Sequence, residues 1–196
     1  MNASRQRILA TTGAVLLASV TLSGCTMNFG FPFFGMGNGN MMGSNGTAEF
    51  SGADIMFAQM MIPHHQQAVD MGTLAETRAE NPEVKALAAQ IKAEQAPEIE
   101  QMKGWLEAAN ASENMGHDMG MGGMLTDAQL LALENSTGNA FDRLYVAGMI
   151  AHHQGAIQMA KMVVGSANAE ANALGEAIIE SQTKQIGQLQ ALLATL

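Results

Sequence analysis

The sequence predicts an all-α domain, a four-helix bundle assembled from two duplicated helical hairpins. Three observations carry this reading. Apolar residues recur at helical spacing in four long segments, no alternating strand pattern competes with them, and the chain repeats itself. Met61-Ile62-Pro63-His64-His65-Gln66-Gln67-Ala68 returns as Met149-Ile150-Ala151-His152-His153-Gln154-Gly155-Ala156, at a constant offset of 88 residues. Asp54 falls on Asp142, Phe57 on Tyr145, Val69 on Ile157 and Met71 on Met159. Self-similarity of this length marks a duplicated structural unit, and two hairpins that bury their apolar stripes against each other make a bundle.

Residues 1–24 read as an export signal. Arg5 and Arg7 precede an apolar run, Ile8 to Leu22, that is too short to span a bilayer comfortably. Leu22-Ser23-Gly24-Cys25 resembles a bacterial lipobox, in which the peptide is cut before the cysteine and the thiol is lipidated. Cys25 is the only cysteine, which suits that role and rules out an internal disulfide. The expected location is the extracytoplasmic face of a cell membrane, periplasmic or cell-surface, with the lipid at Cys25 as anchor. An ordinary signal peptide with an incidental cysteine is the alternative. Residues 25–50 are rich in Gly, Asn and Met and show no helical or strand period, so they read as a flexible tether with a reach of roughly 25–30 Å. Arg5 and Arg7 are the only charges in the signal, so the mature chain keeps 9 − 2 = 7 basic against 18 acidic side chains, a net 7 − 18 = −11. An acidic protein of this kind will not hold a phosphate backbone, which argues against a nucleic-acid partner. It could instead concentrate cations.

The folded domain is expected over 51–196, with repeat 1 about 51–110, a Met-rich loop 111–125 and repeat 2 about 139–194. In the first helix Phe57, Met60, Met61, His64, Ala68 and Met71 share one face, and Pro63 is expected to bend it. Asn81-Pro82 marks a turn, with Pro82 as first residue of a helix carrying Val84, Leu87, Ala88, Ile91, Gln95, Ile99, Met102 and Leu106. Pro97 is expected to kink that helix. Thr126-Asp127-Ala128-Gln129 resembles a capping box and opens a short helix to about Glu134. The third long helix should run to about Gly165 with Leu144, Tyr145, Met149, His152, His153, Ala156, Met159 and Val163 inward. The fourth should run from about Ala167 to Leu193 with Leu174, Ile178, Gln182, Ile186, Leu189 and Leu193 inward. Gln95…Ile99…Met102 matches Gln182…Ile186…Leu189 at an offset of 87, so the repeat covers both helices of each half.

Paired segments of the form Met-Ile-x-His-His-x-x-Ala-[Val/Ile]-x-Met, each followed by a helix with Gln-x-x-x-Ile, resemble the DUF305 family of bacterial extracytoplasmic proteins. The resemblance covers about Ala53 to Leu193. It implies a ferritin-like bundle and, since some copper-binding periplasmic proteins belong to the family, copper or silver handling. The Met-rich loop and the lipobox are not part of the shared motif.

The residues argue in the same direction. Four of the five histidines lie in the two His-His pairs. Met61 stands three before His64 and four before His65, Met149 likewise before His152 and His153, Met60 four before His64, and Met71 and Met159 seven after His64 and His152. Residues so spaced share a helix face, so up to four imidazoles and several thioethers should converge mid-bundle. Di-iron bundles place a carboxylate three residues ahead of the ligand histidine; here those positions hold Met61, Ile62, Met149 and Ile150. Thioether with imidazole suits soft Cu(I) or Ag(I). Met115, His117, Met119, Met121 and Met124 form a possible accessory site, or simply a Gly-rich linker. Glu94 and Glu98 correspond to Ser181 and Gln185, so a symmetric carboxylate site is not expected and a solvated or supporting role is. Methionine at helical spacing is also ordinary core filling, and a buried histidine pair can be purely structural, hydrogen-bonded to Asp54, Asp142, Gln95 or Gln182. The expected function is a membrane-anchored copper- or silver-binding protein for sequestration or delivery. The alternatives are a redox bundle enzyme, a b-type haem protein, or a structural module. No Cys-x-x-Cys-His exists for a c-type haem, and no nucleophile arrangement for hydrolysis is legible.

Overall fold

A computed structural model describes residues 49–114 and 122–196. The export signal, Cys25 and nearly all of the tether, and Met115, His117, Met119 and Met121 of the loop, lie outside the described residues. Within them the chain forms five helices and no strand, and no helix is long and apolar enough to cross a membrane.

Helix α1 (Gly52–Arg78) begins at Ser51, whose side chain accepts from the Asp54 amide while Asp54 accepts from the Ser51 amide. Reciprocal bonds of this kind satisfy two of the donors a helix start leaves open. Helix α2 (Pro82–Ala108) has Asn81 as its N-cap and Pro82 in its first turn. Helix α3 (Asp127–Glu134) opens with the expected capping box between Thr126 and Gln129. Helix α4 (Gly138–Ala160) and α5 (Ala169–Leu193) complete the chain.

Pro63 and Pro97 both sit inside continuous helices, and both are exposed. On that side a missing N–H costs least, because water can take the carbonyl it frees. Helix α4 ends five residues short of the expected limit: the chain turns from Lys161 to Gly165, where φ is +83°. Leu144, expected inward, is 44% exposed. On α5 the buried face runs through Gln182, Gln185, Leu189 and Leu192, leaving Ile186 and Leu193 only half-buried.

Helix α1 packs on α2 and α4 on α5, and the two hairpins meet through α1 and α4. These two run antiparallel. The Asp142 carboxylate near the start of α4 accepts from the amides of Glu80 and Asn81, just past the end of α1. At the opposite end Asp54 accepts from the Ser166 hydroxyl, just past the end of α4. The two aspartates that the repeat superposes therefore hold equivalent corners of the fold.

The close approach within each hairpin also follows the repeat, with the partners exchanged. A side chain on Gly72 would meet the Ala88 carbonyl at 3.2 Å, and one on Gly175 would meet the Ala160 carbonyl at 3.0 Å and Val163 at 2.7 Å. Gly72 superposes on Ala160 and Ala88 on Gly175, so each crossing pairs one glycine with one alanine.

The core is divided. One apolar cluster holds Met71, Ile91, Phe141, Tyr145, Met149 and Leu189 among others. The second holds Phe57, Met61, Met102, Met159, Val163 and Ile178. On every long helix the residues between the two clusters are polar and buried. They are His64, His65 and Gln67 on α1, Gln95 on α2, His152 and His153 on α4, and Gln182 and Gln185 on α5. A polar waist crosses an otherwise apolar interior.

The Gly175 crossing makes a direct prediction. Gly175→Ala should lower stability by about 1–3 kcal/mol through overpacking. Gly187→Ala, on the exposed face of the same helix with open space around it, should raise stability by up to about 1 kcal/mol through helix propensity. Thermal unfolding followed by circular dichroism reads both signs.

Candidate metal centre

The centre of the waist is built by α1 and α4, the two helices that carry the His-His pairs. Antiparallel packing of α1 on α4 brings His64 and His152 face to face, with ring centroids 3.7 Å apart. His65 lies 6.4 Å from His64 and His153 lies 6.2 Å from His152. All four rings are fully buried. The packing places the four imidazoles in one buried layer.

Each Nε2 faces an oxygen. His65 Nε2 lies 2.7 Å from the Glu98 carboxylate, and His153 Nε2 lies 2.7 Å from the Gln185 amide oxygen. His152 Nε2 lies 2.8 Å from the His64 carbonyl, and His64 Nε2 lies 3.3 Å from the Gly122 carbonyl. Carboxylate and carbonyl oxygens only accept, so the ring nitrogen must donate. The Gln185 orientation is fixed the same way, since its NH2 donates to Glu94 at 2.7 Å and its oxygen must therefore face His153. All four histidines consequently carry a proton on Nε2.

Nδ1 is the other half of that statement. In all four rings Nδ1 is buried and has no hydrogen-bond partner among the described residues. Burial, then the neighbouring His65, hold His64 down to about 3, with the Gly122 carbonyl opposing and His153 adding a little. Burial, then the nearby His64, His153 and His65, keep His152 well below the usual histidine range. Burial lowers His153 to about 4, against the pull of Gln185. At neutral pH these three rings are uncharged, each with a free lone pair on Nδ1. The tautomer is the one a metal ligand needs: one nitrogen donates to a fixed oxygen and the other is left to coordinate.

Several expectations are corrected. The histidines do not bond Asp54, Asp142, Gln95 or Gln182. The aspartates are committed to helix ends, and the two amides, buried in the waist, have no partner among the described residues. Their partners instead include Glu98 and Gln185, which lie three residues after Gln95 and Gln182 on the same helix faces. That spacing, and the shared offset of 87, was the available signal. The methionines are distributed in pairs. Met61 and Met159 belong to one apolar cluster, Met71 and Met149 to the other, and Met60 packs half-buried against the first. The thioethers therefore occupy the layers adjoining the waist. Met124 lines a cleft with Gly148 and Ala151 on the outer side of α4 and is not part of the waist. Among the described residues no three His, Cys, Asp or Glu side chains surround a single point. The donor set fits an ion of low coordination number that accepts nitrogen and sulfur, and suits a six-coordinate oxygen-seeking ion poorly.

A contact invisible in the periodicity closes one side of the waist. The Gln67 amide accepts from the Leu125 N–H at 2.8 Å and donates to the Leu125 carbonyl at 3.1 Å. On α4 the superposed position is Gly155, and a side chain there would lie 1.8 Å from the Gly122 carbonyl oxygen. The Gly122–Leu125 segment is thus clamped by one copy of the repeat and admitted by the other. The break in the repeat at Gln67 and Gly155 is where the loop crosses, and it brings the Gly122 carbonyl onto His64.

No curated protein matches the chain. A DUF305 protein from Streptomyces coelicolor is 35% identical, with 73% of this chain and 91% of that one covered and a TM-score of 0.69. CopM in its Cu(II)-bound form is 37% identical, with 72% and 96% covered and a TM-score of 0.63. CopM has also been solved in Cu(I)-bound and Ag-bound forms, 34% and 33% identical to this chain. The family model described as a domain of unknown function, DUF305, matches residues 54–193, the span of both repeats. The chain belongs to the DUF305 family.

Proposed function

We propose that this protein binds copper or silver through the Nδ1 atoms of His64, His65, His152 and His153, assisted by thioethers from Met61, Met149, Met60, Met71 and Met159. The two hairpins then act as a ferritin-like four-helix bundle whose waist is the binding layer. The ion is cargo, and the role is sequestration or delivery at the outer face of a membrane, with Cys25 as the lipid anchor. Met115, His117, Met119, Met121 and Met124 would be an accessory collecting site.

The observation that carries the proposal is the set of buried Nδ1 atoms that have no partner among the described residues. A buried nitrogen without a partner costs about 1–3 kcal/mol, and a histidine pair kept for structure alone would be expected to satisfy both nitrogens. Four such atoms in one layer are better explained as donors held ready for a ligand. Imidazole with thioether suits Cu(I) and Ag(I), and the relative CopM has been solved with both. A haem held between His64 and His152 fits less well, because rings 3.7 Å apart leave no space for a macrocycle between them.

The purified domain should compete with a chromophoric chelator for Cu(I), and the variant with all four histidines changed to alanine should lose that ability while keeping its helical circular dichroism. Equal competition by both proteins would remove the waist as the site. Saturating Ag(I) should also raise the melting temperature of the wild-type domain, since a ligand that binds only the folded state stabilises it.

The lowered histidine pKa values set a pH dependence. The unfolded chain takes up protons near pH 6.5 while the folded histidines do so only near 4 and below. Stability should hold above about pH 7 and fall as the pH drops from about 6.5 to about 4, by up to about 1.4 kcal/mol per pH unit for each such histidine. Urea unfolding of the metal-free protein across that range measures the slope, and the four-alanine variant should flatten it.

A further inference from the structure

The repeat places different chemistry behind two equivalent histidines. Glu98 and Gln185 superpose at the offset of 87, His65 and His153 at 88. Each pair has the same geometry, with an Nε2-to-oxygen distance of 2.7 Å. One oxygen belongs to a carboxylate and the other to an amide. The amide leads on to the Glu94 carboxylate at 2.7 Å, so the second half reaches a negative charge only through an intervening neutral group.

A hydrogen bond to a carboxylate is roughly twice as strong as one to a neutral acceptor. It draws the Nε2 proton outward and pushes electron density through the ring to Nδ1, which makes that nitrogen a stronger and harder donor. An amide does this far less. The two halves of the waist therefore present imidazoles of unequal donor strength, although their frame is symmetric.

We propose that Glu98 is a positioning residue that makes His65 the stronger donor of the waist and biases this half toward the more oxidised copper ion. The His153 half, backed by Gln185, is left as the softer partner suited to Cu(I) or Ag(I). The inference rests on the reading of the waist as a copper site. It adds that the site is graded, with oxidation-state preference set by one side chain that touches no metal.

The test measures Cu(II) and Cu(I) dissociation constants separately, each by competition with a chelator specific for that ion. Glu98→Gln gives both halves an amide. It should weaken Cu(II) binding by about 10–100-fold and Cu(I) binding by a smaller factor, so that the ratio of the two constants shifts toward Cu(I). A change at Gln185 alone would set two carboxylates against each other at Glu94, so the reciprocal protein carries Gln185→Glu together with Glu94→Gln. It should tighten Cu(II) binding relative to Cu(I). A purely structural role for Glu98 would lower the melting temperature and change both constants by the same factor. That result, or no change in either constant, overturns the inference. Loss of the site itself is distinguished by the four-alanine variant: if that protein binds both ions like the wild type, the waist is not the copper site at all.

Discussion

Everything in this structure depends on how a band of polar side chains is tolerated inside an apolar core. Eight buried polar residues of the long helices cross the described structure between two apolar clusters. Each imidazole spends its Nε2 proton on a fixed oxygen, which fixes its orientation and its tautomer. What remains is Nδ1, which has no partner among the described residues. The polar groups around the rings thus prepare a set of donors rather than neutralise one another. The same burial keeps the imidazoles of His64, His152 and His153 uncharged, so acid and metal would compete for the same lone pairs.

Duplication explains the economy of the arrangement. One hairpin supplies two histidines, an oxygen behind the second of them, a capping aspartate and a methionine on either side. Two copies packed antiparallel bring these into register across the interface between α1 and α4. The departures from the repeat are as informative as the matches. Glu98 against Gln185 makes the supports unequal, Gln67 against Gly155 lets the loop segment cross, and Pro63 against Ala151 changes little because that position faces solvent.

Much of this was legible in the sequence. The period of the apolar residues gave the four long helices, the capping box at Thr126 gave the short one, and the doubled His-His motif gave the layer. What escaped was what period cannot encode. The end of α4 at Ala160 is set by a turn to a left-handed glycine, and the exposure of Leu144 by how far α4 is rotated against its neighbours. The natural guess for the histidine partners was the nearest matched polar residues, Asp54, Asp142, Gln95 and Gln182. The aspartates are instead drawn to helix ends, where they accept from open amides, and the oxygens behind His65 and His153 come from one helical turn further along α2 and α5. The methionines expected to converge with the imidazoles mid-bundle belong to the two apolar clusters on either side of the rings.

The central claim is that the four histidines hold their protons on Nε2 and offer Nδ1 to a soft ion. Long-range proton–nitrogen NMR of the ring nitrogens, taken before and after addition of Ag(I), tests it at the atoms concerned. The account predicts a proton on Nε2 of all four rings at pH 7, with the Nδ1 signals moving on silver binding and the Nε2 signals moving little. Protons found on Nδ1, or silver bound with the Nδ1 signals unmoved, would contradict it.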